Sequence, residues 1–280
     1  MKVLVTGAGG MLGYDIIKEF EMRNIDCIGA GRTEFDITDF KASYDFITNH
    51  LPDVVIHCSA YTSADKAEEE EALCYSVNAI GTSNIAKICK EIDAKMIYIS
   101  SDYVFDGTKE GYYEVDDIPN PINVYGKTKY EGEKAVQNIL DKYFVVRISW
   151  VFGINGNNFV KTMLRLGKNV KEVSVVEDEI GSPTYTVDIA TILSKMIYSE
   201  NYGVYHVTNE GVCSWADFAE AIFDAAQMKV KVNHITAEQW NAKAKRPKNS
   251  KLSKKKLVCN DFGKLRHWKE ALDAYLNEHI

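Results

Sequence analysis

No stretch of the 280 residues approaches the roughly 20 apolar positions that a membrane-spanning helix requires. A secretory leader is not legible either: Met1-Lys2-Val3-Leu4-Val5-Thr6-Gly7 reaches glycine too soon and reads as a buried strand. The six cysteines include no C-x-x-C pair, and most fall inside apolar segments, which suits free thiols in a reducing cytoplasm. The six histidines are scattered, without H-x-x-x-H or a Cys/His cluster, so no metal site is expected. Repeats and low-complexity linkers are missing. Basic charge is also short, with a net charge of −7. The exception is residues 243–256, which hold eight Lys/Arg and no acid. A nucleic-acid binder should be basic more broadly. One basic segment in an acidic chain fits a small phosphorylated ligand or a solvated loop.

What is present is an α/β pattern in a chain long enough for one large domain, or a domain plus a lobe. Strands are expected at 2–6, 25–29, 53–57, 95–99 and 144–148. Helices are expected at 10–22, 39–49, 65–92 and 124–140, with Asp36 and Thr38 as caps of the second. Continuous apolar strands alternating with helices indicate a parallel sheet covered on both faces. The expected fold is a Rossmann-type doubly wound α/β sheet over residues 1–150. Residues 151–280 are expected to form mainly a smaller substrate-binding lobe, with some segments returning to the sheet. There the pattern predicts helices at 159–166, 187–198, 215–226 and 264–277, and short strands at 173–176 and 204–207. Ligands of such sheets bind beyond the carboxyl ends of the strands.

The first strand runs into Thr6-Gly7-Ala8-Gly9-Gly10-Met11-Leu12-Gly13, a G-x-x-G-x-x-G turn that opens a helix. Glycines permit the tight turn, close approach to a pyrophosphate and tight helix packing, and the helix N-terminus faces the anion. The second strand ends Gly29-Ala30-Gly31-Arg32 without the acid that would bind the ribose of NAD. Arg32 is suited to a 2′-phosphate and leans the choice between NADPH and NADH toward NADPH. Asp36 and Ile37 are placed to cover the adenine, and Ala60, Tyr61 and Thr62 to line the groove after the third strand.

Ser101 leaves the fourth strand where a hydroxyl can hold a substrate carbonyl. Tyr125 and Lys129 are four residues apart on a predicted helix and so share a face. An ammonium beside a phenol lowers its pKa from about 10 and makes Tyr125 a general acid. Asn78 reads as a helix polar residue satisfied locally. Glu68-Glu69-Glu70-Glu71 reads as a solvated first helical turn favoured by the dipole.

Gly7/Gly10/Gly13, Ser101 and Tyr125/Lys129 together resemble the extended short-chain dehydrogenase/reductase superfamily. Longer runs are similar to one branch of it, the dTDP-4-dehydrorhamnose reductases. These are Ser101–Gly107 (SDYVFDG), Asn123–Lys129 (NVYGKTK), Arg147–Phe152 (RISWVF), Asn158–Met163 (NFVKTM) and Arg246–Ser250 (RPKNS). The resemblance implies an oxidoreductase that reduces the C4 carbonyl of dTDP-4-dehydro-L-rhamnose to dTDP-L-rhamnose with NADPH or NADH, feeding cell-surface polysaccharide. It implies that Tyr125 protonates the C4 oxygen, that Lys129 binds the nicotinamide ribose and that Ser101 holds the carbonyl. Gly10, Met11 and Leu12 would contact the pyrophosphate. Asp102, Trp150, Arg246 and Asn249 would contact the nucleotide-sugar substrate. Magnesium enters through the resemblance alone, since no residue set here has ligand spacing for it. A homodimer is left open. Tyr103 stands where related dehydratases carry a glutamate, which leaves carbonyl reduction. Two alternatives remain: a non-catalytic NADP-binding regulatory subunit, which the intact Ser101/Tyr125/Lys129 set opposes, and a reductase or epimerase of another nucleotide 4-keto sugar.

Overall fold

Five apolar runs in the first half of the chain become strands β1 (Lys2–Thr6), β2 (Asp26–Ala30), β3 (Val54–His57), β4 (Lys95–Ser101) and β5 (Tyr143–Ile148). The computed structural model describes residues 1–279. The helices between the strands are α1 (Met11–Met22), α2 (Phe40–His50), α3 (Ala64–Ala67), α4 (Glu71–Tyr75), α5 (Thr82–Glu91) and α6 (Val124–Ile139). The second half adds β6 (Val151–Phe152), α7 (Phe159–Gly167), β7 (Glu172–Val176), β8 (Ile180–Gly181), β9 (Thr184–Tyr185) and α8 (Thr186–Met196). Next come β10 (Gly203–His206), β11 (Cys213–Ser214), α9 (Trp215–Ala225) and β12 (Lys231–Ile235), and then α10 (Ala237–Trp240), α11 (Lys255–Cys259) and α12 (Trp268–His279).

The main sheet has the order β2-β1-β3-β4-β5-β10, and every pairing is parallel. Alternate strand residues bury on opposite faces. Val3, Ile56, Ile97 and Val146 meet Ile16 and Phe20 of α1 and Ile189 and Leu193 of α8. Leu4, Val55, Met96 and Val145 meet Ile47 of α2, Ile85 and Ile88 of α5 and Val136 of α6. The sheet is doubly wound, and the winding reverses between β1 and β3, the switch point where such sheets take ligands. Chain after residue 150 completes it: β10 lies beside β5, and α8 packs along α1. A separate core joins Phe152, Tyr185, Phe218 and Trp268 with Tyr275 of α12. The parallel pair β7–β12 flanks this core.

Three local expectations are corrected. The predicted helix over 65–92 is broken into α3, α4, a π-helical turn at Ser76–Gly81, and α5. Asn78 in that turn bonds back to Cys74 Sγ at 3.4 Å and also reaches outward from the helix. Its Oδ1 accepts from Tyr61 N at 2.8 Å, and its amide donates to Tyr61 O and Thr128 Oγ1, each at 3.1 Å. Such single-turn π bulges mark functional sites more often than plain helix does. The cap of α2 is Asp39, whose side chain accepts from Ala42 N, while Asp36 caps Thr38 instead. The last helix starts at Trp268, because residues 266 and 268 bond to Glu210 in extended pairing. Asn78→Ala strips both Tyr61 backbone groups of their partners. It should lower unfolding free energy by about 2 kcal/mol, read as a lower urea midpoint at unchanged m-value.

Candidate active site

A cleft of about 890 Å³ opens at the carboxyl ends of β1, β3 and β4. Gly7, Gly10, Met11, Leu12 and Gly13 line one end, with Arg32, Asp36 and Ile37 beside them. Ala60 and Thr62 follow, then Ser101, Asp102, Tyr103, Tyr125, Lys129 and Trp150. At Gly7, φ is +69°, a backbone conformation open to glycine, and a Cβ on Gly13 would overlap the Gly7 carbonyl. The helix therefore springs straight from the turn. α1 begins without a side-chain cap or an acid in its first turn, so its leading amides are left for an anion.

Ser101 ends β4. Its Oγ accepts from Tyr103 N at 3.2 Å and donates to Asp102 Oδ1 at 2.9 Å. Asn123 caps α6 by accepting from Gly126 N at 2.7 Å, which starts the helix one residue before Tyr125. A Cβ at Gly126 would overlap the Tyr103 carbonyl, so this helix lies directly on the strand end. The Tyr103 ring meets the Tyr125 ring edge-on, with centroids 5.5 Å apart. Trp150, at φ +46°, stacks on Trp215 at 3.6 Å, and both indoles line the cleft.

The electrostatics differ from the expectation in one respect. Burial raises the Tyr125 phenol above its ordinary value, hydrogen bonding to Ser101 pulls it down, and Lys129 is not among the groups that move it. The Lys129 ammonium instead donates to Ile99 O at 2.7 Å and sits 4.1 Å from the Tyr98 ring centroid. Burial brings Lys129 down to about 7, opposed by Glu133. Asp102 is 2% exposed, and burial lifts its carboxyl to about 6. Its Oδ2 has no well-formed hydrogen bond; Ser250 acts on the carboxylate from beyond bonding geometry. Among the described residues, no group of three or more His, Cys, Asp or Glu could hold a metal, and no helix is long and apolar enough to cross a membrane.

The model of the RmlD substrate binding domain family matches residues 1–280. The dTDP-4-dehydrorhamnose reductase of Aggregatibacter actinomycetemcomitans is 43% identical over 285 residues, covering 97% of each chain. The spore coat polysaccharide biosynthesis protein SpsK of Bacillus subtilis is 38% identical, over 99% of this chain and 97% of its own. A solved dTDP-4-dehydrorhamnose reductase from Bacillus anthracis, in complex with NADP, superposes with a TM-score of 0.97. It is 44% identical and covers 99% of this chain and 100% of its own. This chain belongs to the dTDP-4-dehydrorhamnose reductase family.

Within this family member, three predicted site residues stand outside the cleft lining. Tyr61 gives its hydroxyl to Glu70 at 2.7 Å, and only its neighbours reach the groove. Asn249 spends its amide on the carbonyls of Lys109 and Gly111, and its oxygen accepts from Lys251 N. Arg246 pairs with Asp65 at 2.8 Å. The acidic run is exposed, as expected, but lies between α3 and the start of α4 instead of opening one long helix, and two of its members have partners: Glu68 accepts from Val124 N, and Glu69 pairs with Lys243. Lys248 pairs with Asp178, so the basic segment is largely neutralised by carboxylates elsewhere in the fold. An acid does follow β2, at Glu34, beyond the Gly29–Arg32 turn; its Oε2 accepts from Gly31 N at 2.6 Å. Trp215, at the start of α9, escaped the reading because nothing local to it marks a cleft.

Asp102 makes the stability of this reductase-family fold depend on pH. Its folded carboxyl titrates near 6 against an ordinary 3.8, so the folded chain binds that proton more tightly. The contribution is complete below about pH 4 and is lost as pH rises through 6. Asp102→Asn should therefore gain on wild type by on the order of 2–3 kcal/mol between pH 4 and pH 7.5, read from paired urea melts at the two pH values.

Proposed function

We propose that this chain reduces the C4 carbonyl of dTDP-4-dehydro-L-rhamnose to dTDP-L-rhamnose. The observation that carries the reading is that Ser101, Tyr125 and Lys129 meet at one strand edge, beside an uncapped helix and a glycine turn. End-to-end likeness to named reductases supports the same substrate. The residues fit a dinucleotide: a Cβ at Gly7 would collide with Ser59 N, so the turn leaves room for a phosphate only as glycine. Gly10, Met11 and Leu12 would hold the pyrophosphate, and Ala60, Thr62 and Lys129 the nicotinamide half. When bound, the cofactor supplies the hydride.

The remaining steps belong to the protein. Ser101 Oγ donates to the C4 oxygen and orients the carbonyl. Tyr125, held protonated by burial, gives its proton to that oxygen as negative charge develops there. Trp150 and Trp215 form an apolar wall that keeps water from the sugar face. Asp102 lines the same cleft beside Ser101, where it would help to seat the sugar. Tyr103, where an elimination would need a base, instead packs on Tyr125, which favours simple reduction. NADPH is the proposed donor. Arg32 lines the cleft without an ion-pair partner among the described residues, while Glu34 is turned onto Gly31 N. Six unpaired cysteines support the cytoplasm as the compartment.

Tyr125→Phe should bind NADPH and turn over at least 100-fold more slowly with freshly generated dTDP-4-dehydro-L-rhamnose, followed at the nicotinamide absorbance. Wild type that binds NADPH without turnover would reject this substrate in favour of a regulatory role or another 4-keto sugar. Arg32→Ala should lower kcat/KM for NADPH by about tenfold or more and leave NADH nearly unchanged. Equal losses with both cofactors would remove Arg32 from phosphate recognition.

A further inference from the structure

One turn beyond Lys129, α6 carries a second buried charge. Glu133 is 0% exposed. Its Oε1 accepts from Ser100 Oγ at 2.5 Å and from Arg147 Nε at 2.9 Å, and its Oε2 accepts from Arg147 Nη2 at 2.7 Å. Arg147, on β5, is itself buried and lies 5.0 Å from the Phe105 ring centroid. A sealed ion pair of this kind is weak as a stabilising device, because desolvation takes back much of the attraction and apolar residues of equal volume do as well. Its neighbours give it another use. Ser100 is next to Ser101 and lines the cleft. The end of β4 is tied to α6 at two points, Lys129 Nζ to Ile99 O and Ser100 Oγ to Glu133.

We propose that Glu133 is a positioning residue for the reduction: it clamps the Ile99–Ser101 edge against the helix that bears Tyr125 and Lys129, and its carboxylate holds Lys129 as an ammonium. The inference rests on the reductase reading above. Other groups around Lys129 do not supply that charge. His57 on β3 is neutral, brought down to about 3 by burial, and Cys58 just after β3 and Cys74 on α4 are raised thiols. Tyr98 on β4 is a buried phenol pushed well above its ordinary value. Tyr125, on α6 itself, is likewise held protonated. Beyond Arg147, His206 on β10 is also neutral. The Glu133 carboxylate, one helical turn from Lys129 and fixed in place by Arg147, is the anion on the side of the ammonium.

The experiment measures NADPH affinity by nucleotide fluorescence from pH 5.5 to 9, beside steady-state kinetics, for wild type, Glu133→Gln and Ser100→Ala. In Glu133→Gln the pH at which affinity falls should move down by about one unit or more. Its kcat should drop on the order of tenfold to a hundredfold with KM little changed. Ser100→Ala should lower kcat by about tenfold while the binding transition stays in place. A folded Glu133→Gln with the wild-type pH transition and kcat would overturn the proposal and leave a structural ion pair. If Glu133→Gln does not fold, by circular dichroism, Ser100→Ala decides, and unchanged kcat there overturns the clamp. If wild type does not reduce the sugar, the reductase reading fails separately, and the pH dependence of NADPH binding still tests Glu133.

Discussion

Helix α6 lies against the end of β4 without the spacing that Cβ atoms would impose. Gly126 faces the Tyr103 carbonyl, and Gly132 faces the Tyr98 hydroxyl and the Asn78 carbonyl. Each glycine costs the helix about 1 kcal/mol of propensity relative to alanine, so a helix chosen for its own stability would not carry them. What they permit is close contact between two elements that each supply part of one reactive group set: Ser101 from the strand, Tyr125 and Lys129 from the helix. The π turn at 76–81 belongs to the same packing, since its Asn78 reaches both Thr128 on α6 and the Tyr61 backbone beside the cofactor groove.

Around this contact the interior is unusually polar. Lys129, Glu133, Arg147 and Asp102 are all buried, and His57 bridges Thr6 and Thr82 through its two ring nitrogens. Low dielectric strengthens each interaction and penalises each missing partner. Glu133 and Arg147 meet this constraint with three mutual or shared hydrogen bonds. Asp102 meets it only in part, which is what a carboxylate facing a substrate cleft would be expected to show.

How much of this was legible in the sequence follows from range. Strands, the glycine turn and the Tyr125/Lys129 spacing are written within a few residues, and the parallel order follows from their alternation. The break in the 65–92 helix was not legible, because it depends on Asn78 bonding to a backbone seventeen positions away. The pairing of Asp65 and Glu69 with Arg246 and Lys243 spans most of the chain, so neither run on its own shows its partner. The shared face of Tyr125 and Lys129 was read correctly as helical spacing. The direction of the ammonium was not, because Ile99 O and the Tyr98 ring lie on β4, and nothing on α6 records them.

The late return of the chain to the main sheet has a consequence for how the molecule acquires its shape. The outer face of α1 is covered by α8, and β5 gains its outer neighbour only with β10. A nascent chain released as far as residue 150 would hold every residue of the glycine turn and of the Ser101, Tyr125 and Lys129 set. It would still lack the α8 partners of Asp15 and Glu19 on α1 and would leave a strand edge unpaired, the condition that invites sticking during synthesis. The cleft shows the same dependence, since Gly156, Asn157 and Trp215 from the later chain line it beside the glycine turn.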